Sequence, residues 1–243
     1  MQRIILKKYF GTLAMLMILF LGACSKENNG MGPIGPTPPG DTSLVYRSYL
    51  ALGDSYTIGT SVSSTERFPV QTTIKLNALG LPTQPAEIIA TNGWTTSNLL
   101  NALNNTSLAN NYDFVSLLIG VNNQYQGRSQ EEYRNQFSTL LTKAIAYARG
   151  NKNRVFVLSI PDYSVTPFAA GSDTVRISDE IDQFNAINKE ISLQMGVQYI
   201  DITPISRSGR TDATMQAGDG LHPSGKQYEK WASVLAPRMK AAL

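Results

Sequence analysis

The chain has 243 residues, 42% of them hydrophobic, with one histidine and one cysteine, a composition that suits one moderate globular domain and excludes a disordered, fibrous or disulfide-stapled protein. Those two residues cannot furnish the roughly four ligands of a structural zinc site, so no metal is expected, and any imidazole chemistry must run through His222. The formal charge is +3, but Arg3, Lys7 and Lys8 account for the whole excess; the neutral remainder has no basic run, and nucleic acid is not an expected partner.

The first 23 residues read as an export signal. A basic start is followed by an apolar stretch from Tyr9 to Phe20 and then by small residues, the layout of a secretory signal, and that stretch is too short for a membrane span. Leu21-Gly22-Ala23-Cys24 resembles the bacterial lipobox, which implies cleavage before Cys24, lipidation of Cys24, and attachment to the cell envelope, with the outer membrane as the expected destination. A lipidated Cys24 also accounts for an unpaired cysteine in an exported chain. Residues 24–44 form the linker: between positions 25 and 41 lie four Gly and four Pro without apolar periodicity. Extended at ~3.1 Å per residue, such a segment spans roughly 50 Å. Gly30-Met31-Gly32-Pro33-Ile34-Gly35 fits G-x-G-x-x-G on paper, but no strand precedes it and its prolines spoil a following helix.

From residue 45 to 243 apolar bursts alternate with helical patterns, the signature of repeated βα units around a mostly parallel sheet. Strands are expected near Tyr49–Leu52, Glu87–Ala90, Phe114–Ile119, Val155–Ile160 and Val197–Ile200. A helix is expected from Ser129, with Ser129 and Glu132 as a capping box and Tyr133, Phe137, Leu140, Leu141, Ala144 and Ala148 at helical spacing. The last helix is placed at about Ser224–Met239, with Tyr228, Trp231, Val234 and Leu235 on one face. Five strands with their helices make one α/β/α domain.

Active sites of such sheets lie at the carboxyl ends of the strands, and four polar blocks stand at or beyond those ends. They are Gly53-Asp54-Ser55-Tyr56, Thr91-Asn92-Gly93-Trp94, Gly120-Val121-Asn122-Asn123 and Asp219-Gly220-Leu221-His222-Pro223. In order and over nearly the whole domain they resemble the GDSL family of the SGNH hydrolases. The resemblance implies a three-layer flavodoxin-like fold with a five-stranded sheet and a serine esterase or lipase that needs no cofactor. A serine hydroxyl becomes nucleophilic when a base takes its proton; Ser55 is the expected nucleophile and His222 the expected base, with Asp219, three residues earlier, holding the imidazole. Carried over from the family, the oxyanion donors fall on the Ser55 N–H, the Gly93 N–H and the Asn122 amide. The family usually reads G-x-N-D in the third block. Here Asn123 replaces the acid, which predicts altered loop hydrogen bonding rather than lost activity.

Two rivals fit less well. Gly220 to Lys226 nearly spells a P-loop, but Gln227 stands where Ser or Thr should hold magnesium. The G-x-S-x-G elbow of α/β-hydrolases fails at Thr57. Tyr56, Trp94 and Tyr125 are candidate aromatic walls of the substrate site, residues 161–177 a candidate rim or lid, and Arg207 and Arg210 in the 203–218 loop candidate partners for anionic substrate groups. The expected substrate is an ester, either an acylated glycan or a lipid. A catalytically idle binding protein that keeps the fold is the competing class.

Overall fold

The computed structural model describes residues 45–243; the expected signal peptide, Cys24 and the linker to residue 44 lie outside them. Among the described residues five strands form one sheet: β1 (Tyr49–Gly53), β2 (Glu87–Ala90), β3 (Phe114–Leu118), β4 (Val155–Leu158) and β5 (Gln198–Ile200). Their spatial order is β2-β1-β3-β4-β5, and every neighbouring pair is parallel. The central strands β1, β3 and β4 are buried along their full length, which explains why they read as apolar runs rather than as alternating patterns.

Eight α-helices among the described residues accompany the strands: α1 (Ser55–Ile58), α2 (Phe68–Ala78), α3 (Thr96–Asn104), α4 (Val121–Tyr125), α5 (Gln130–Tyr147), α6 (Thr174–Gln194), α7 (Thr203–Arg207) and α8 (Gly225–Ala241). They pack in two groups, α2 against α8 and α3 against α5 and then α6, giving the α/β/α architecture. On α8 the side chains of Tyr228, Trp231, Leu235 and Met239 are wholly buried, Leu235 and Met239 each stabilising the domain by about 1.5–3 kcal/mol relative to exposure. Val234, expected on that face, is 36% exposed instead; Tyr228, Leu235 and Met239 all lie on one side of Trp231 around the helix and Val234 on the other, so it falls at the edge of the buried stripe.

At the start of α5, Ser129 Oγ accepts from the Glu132 N–H at 3.1 Å. Only that half of the expected capping box forms, because Glu132 Oε1 accepts from Gln136 Nε2 one turn along.

The strand order reverses direction between β1 and β3, since the chain goes from β1 outward to β2 and then returns to the other side. Such a reversal leaves a crevice at the carboxyl ends of the two strands. Gly53 ends β1 just before Ser55, and β3 ends just before Asn122.

Candidate active site

Ser55 opens the four-residue helix α1, directly after β1. Asp54 caps that turn, its Oδ1 accepting from the Tyr56 N–H at 3.0 Å, and the position of Ser55 at the helix start leaves its N–H without an intrahelical acceptor. Asp54 is only 1% exposed and its Oδ2 has no partner among the described residues. Burial pushes its carboxyl up to about 7, against the bond from Tyr56.

A cleft of about 200 Å³ lies over the crevice, lined by Ser55, Tyr56, Asn92, Gly93, Asn122 and His222 among others. The structure therefore brings together Ser55, His222, Gly93 and Asn122 from four separate parts of the sequence. Asp219 lies just behind them. Its Oδ2 is 2.6 Å from His222 Nδ1, and its Oδ1 accepts the backbone N–H groups of Leu221 and His222, each at 3.0 Å. With Nδ1 held in this way, Nε2 is the ring nitrogen left for chemistry. Ser55 Oγ makes no hydrogen bond to the imidazole in this arrangement, a contact that ligand-free sites often form only around substrate.

Ser61 was not anticipated by the sequence. Its hydroxyl donates to Asp219 Oδ2 at 2.5 Å, from a residue held at φ = 65°, the left-handed region that costs an L-residue about 1–2 kcal/mol. Partial burial pulls the Asp219 carboxyl upward, but the bonds from Ser61, His222 and the two backbone N–H groups outweigh it and hold the group well below the usual carboxylate range. Thr60, beside Ser61, donates to Asn92 Oδ1 in the second block. The turn after α1 thus ties the element that carries Ser55 to the second and fourth blocks.

Gly93 sits at φ = 78°, and a Cβ there would meet nothing within 4 Å. Its backbone conformation, rather than lack of space, is what requires glycine. Gly120 is constrained on both counts: φ = 132°, and a Cβ would lie 2.7 Å from Tyr133 and from Ile160. It lets the chain turn directly from β3 into α4, which carries Asn122. One amide hydrogen of Asn122 goes to the Trp94 carbonyl oxygen at 3.0 Å, so the side chain is oriented and its second N–H remains available to the cleft. Asn123, in the place of the family's acid, is fully buried; it accepts from the Thr96 N–H at 3.0 Å and donates to Thr96 Oγ1 at 2.7 Å. An ionised acid cannot do both.

Of the expected walls, Tyr56 and Tyr125 line the cleft, and Tyr56 meets the His222 ring edge-on at 5.9 Å. Trp94 does not line it; its side chain packs against the hydrophobic core, and only its carbonyl serves the site. From the 161–177 region, Tyr163 and Phe168 complete the rim. The Phe168 N–H donates to the Gly220 carbonyl at 2.9 Å, joining this rim to the Asp219–His222 turn. Ile177, at the end of that region, belongs to α6 and is buried.

Arg207 is not free for an anionic substrate. Its Nε binds Asp162 Oδ2 and one terminal nitrogen binds Asp182 Oδ1, both at 2.8 Å, so its work is to hold the segment after β4 against α6. Arg210 is absent from the cleft lining. Lys226 of the near P-loop is likewise occupied, at 2.8 Å from Asp212 Oδ2. Among the described residues no group of three or more His, Cys, Asp or Glu side chains is arranged to hold a metal ion.

The model of the GDSL-like lipase/acylhydrolase family matches residues 51–230. The chain belongs to this family. A comparison with curated proteins gave no match. Among solved structures, the fold is similar to TesA (TM-score 0.63, 17% identity, covering 81% of this chain and 100% of that one). It is also similar to a lipase/acylhydrolase from Enterococcus faecalis (0.62, 19%, 80% and 96%), and to an acetylxylan esterase from Geobacillus stearothermophilus (0.62, 18%, 79% and 94%). At these identities the likeness speaks for the GDSL fold.

Proposed function

We propose that this GDSL-family protein is a serine esterase that hydrolyses carboxylic esters through an acyl-enzyme, acting on O-acylated glycans. The observation that carries the reading is the Asp219–His222 pair, closed at 2.6 Å with its imidazole lining the same cleft as Ser55. Ser55 Oγ attacks the ester carbonyl carbon while His222 Nε2 takes the hydroxyl proton. The oxyanion is met by the Ser55 N–H, the Gly93 N–H and the free Asn122 N–H. The bond to the alcohol oxygen then breaks, and His222 passes its proton to the departing alkoxide. Water attacks the acyl-Ser55 ester, losing a proton to His222, and the acid leaves as Ser55 recovers its own. Asp219 stays ionised throughout, offsetting the charge of the imidazolium. None of these steps calls for a metal or an organic cofactor.

Substrate size supports a short acyl group. The cleft, at about 200 Å³, is smaller than the roughly 300–1,000 Å³ of pockets that enclose drug-sized ligands. The acetylxylan esterase among the similar structures makes O-deacetylation of a glycan the preferred reading over lysophospholipid hydrolysis. Export and a Cys24 lipid anchor in the envelope, most simply the outer membrane, belong to the same proposal and rest on Leu21-Gly22-Ala23-Cys24; radiolabelled fatty acid should enter the wild type and not Cys24→Ser, and label retained in the variant would refute it. For the activity, 4-nitrophenyl acetate should be turned over by the wild type and not by Ser55→Ala. Equal background rates in both would overturn the esterase reading in favour of an idle scaffold.

A further inference from the structure

A second groove of about 560 Å³ adjoins the cleft and shares Tyr125, Tyr163 and Phe168 with it. We infer that this groove is the alcohol-side subsite of the enzyme and takes the sugar units of an oligosaccharide beyond the acylated one. The inference rests on the esterase reading for its orientation relative to Ser55, and goes beyond it by requiring a substrate of at least two sugar units.

The junction between the two spaces is aromatic. Tyr125, Tyr163 and Phe168 form a closed triad with ring centroids 6.1–6.4 Å apart. Tyr125 is 59% and Phe168 46% exposed, so the triad offers apolar surface to whatever leaves the cleft. A sugar ring has a face of C–H bonds that covers such a surface, meeting the electron-rich faces of the rings, and a rim of hydroxyls that must find hydrogen bonds once desolvated.

The groove beyond supplies them. Its polar lining comes from Arg128, Ser129, Gln130, Arg176, Glu180 and Gln183. Four of them, Gln130, Arg176, Glu180 and Gln183, are held in place by hydrogen bonds. Tyr163 Oη donates to Gln124 Oε1 at 3.0 Å, Gln124 Nε2 donates to Glu180 Oε2 at 2.6 Å, and Arg176 donates to Glu180 Oε1 at 2.9 Å. Gln130 Nε2 donates to Gln183 Oε1. Amides and a guanidinium in fixed orientation offer both donors and acceptors at spacings that suit vicinal hydroxyls, and preorganisation lowers the entropic cost of binding. The Arg128 side chain has no hydrogen bond or ion pair to any described residue, which leaves its five N–H donors for a ligand. An aliphatic chain fits this lining badly: it would strip water from these groups and return no hydrogen bond, at about 1–3 kcal/mol for each group buried unpaired.

The test uses the full chain, its Ser55→Ala variant, and an Arg128→Ala/Gln183→Ala double variant made in both. Arg128 and Gln183 are exposed, and circular dichroism with a melting curve confirms that the double variant is folded. Probes are partially acetylated neutral β-1,4-glucan oligosaccharides of one to four units, 4-nitrophenyl acetate, and lysophosphatidylcholine. The expected result is a kcat/KM that rises at least tenfold from one unit to three. In the double variant, the ratio of trisaccharide to 4-nitrophenyl acetate turnover falls at least tenfold. Calorimetric titration of Ser55→Ala with the unacetylated tetrasaccharide should show binding that the double variant loses, a readout independent of turnover. Three outcomes overturn the inference: no rise with chain length, a rise or binding that survives the double variant, or a double variant that is impaired only on lysophosphatidylcholine. Ser55-dependent turnover of 4-nitrophenyl acetate together with any of these results rejects the groove and leaves the esterase reading standing. Absence of that turnover with intact tetrasaccharide binding rejects the esterase reading alone.

Discussion

Replacing Ser61 by alanine removes one oxygen that no sequence motif marks and should slow the enzyme. The hydroxyl lies 2.5 Å from Asp219 Oδ2, the same oxygen that holds His222 Nδ1 at 2.6 Å. A hydrogen bond to a charged group contributes about 1.5–3 kcal/mol, but Ser61 is exposed and the Asp219 side chain is 32% accessible, so water substitutes for part of it. A loss of ~1 kcal/mol is expected, or roughly a fivefold fall in kcat/KM. The backbone gives an internal control. At φ = 65° alanine keeps the strain of serine, whereas Ser61→Gly relieves ~1 kcal/mol of it. Both variants should therefore lose activity alike while the glycine variant melts higher. The assay is steady-state hydrolysis of 4-nitrophenyl acetate beside thermal melts of each variant. Unchanged kcat/KM in Ser61→Ala, or a glycine variant far slower than the alanine one, would show that the contact does not position Asp219.

Three further outcomes follow from the same geometry. The Asp54 carboxyl, raised to about 7 by burial, holds its proton in the folded state up to that pH, while the unfolded chain releases it near ~4; between these values stability falls as pH rises, and the full cost persists above about 7. Asp54→Asn, which keeps the acceptor for the Tyr56 N–H, should gain on the wild type by about 2 kcal/mol more at pH 8 than at pH 5 in urea titrations, and an equal difference at both pH values would exclude the buried acid as the cause. Asn122→Ala should lower kcat by about 10² to 10³; wild-type kcat would remove Asn122 from the oxyanion site. Arg207→Met leaves the buried Asp162 carboxylate without its cation, and with Arg207 partly exposed the expected loss is about 2–3 kcal/mol, read as a lower melting temperature; an unchanged melt would contradict that pairing.

How far the sequence revealed this site depends on the range of each interaction. The strands were legible because β1, β3 and β4 are buried on both faces, and the four blocks because each sits where an apolar run stops. The Asp219–His222 pair is local, closing within one turn. Ser61 was invisible because its partner lies 158 residues away and no spacing rule links a strained turn to a carboxylate. Arg207 misled for the same reason: its acidic partner Asp162 is 45 residues upstream, so a structural ion pair looked like a spare cation. Trp94 closes a site block, but a large apolar ring next to a sheet gains more from the core than from the cleft. The second groove escaped notice because its polar lining comes from the segment 124–130 and from α6, two stretches far apart in sequence whose polar residues no apolar periodicity marks.

The claim on which the rest depends is that Ser55 is a nucleophile activated by His222, and covalent labelling tests it most directly. The wild-type protein should take up one diisopropyl phosphoryl group from diisopropyl fluorophosphate, found by mass spectrometry on the peptide containing Ser55. Ser55→Ala should take up none, and His222→Ala should be labelled at least about 10²-fold more slowly. Label on another residue, or equal labelling of Ser55→Ala and wild type, would contradict the account.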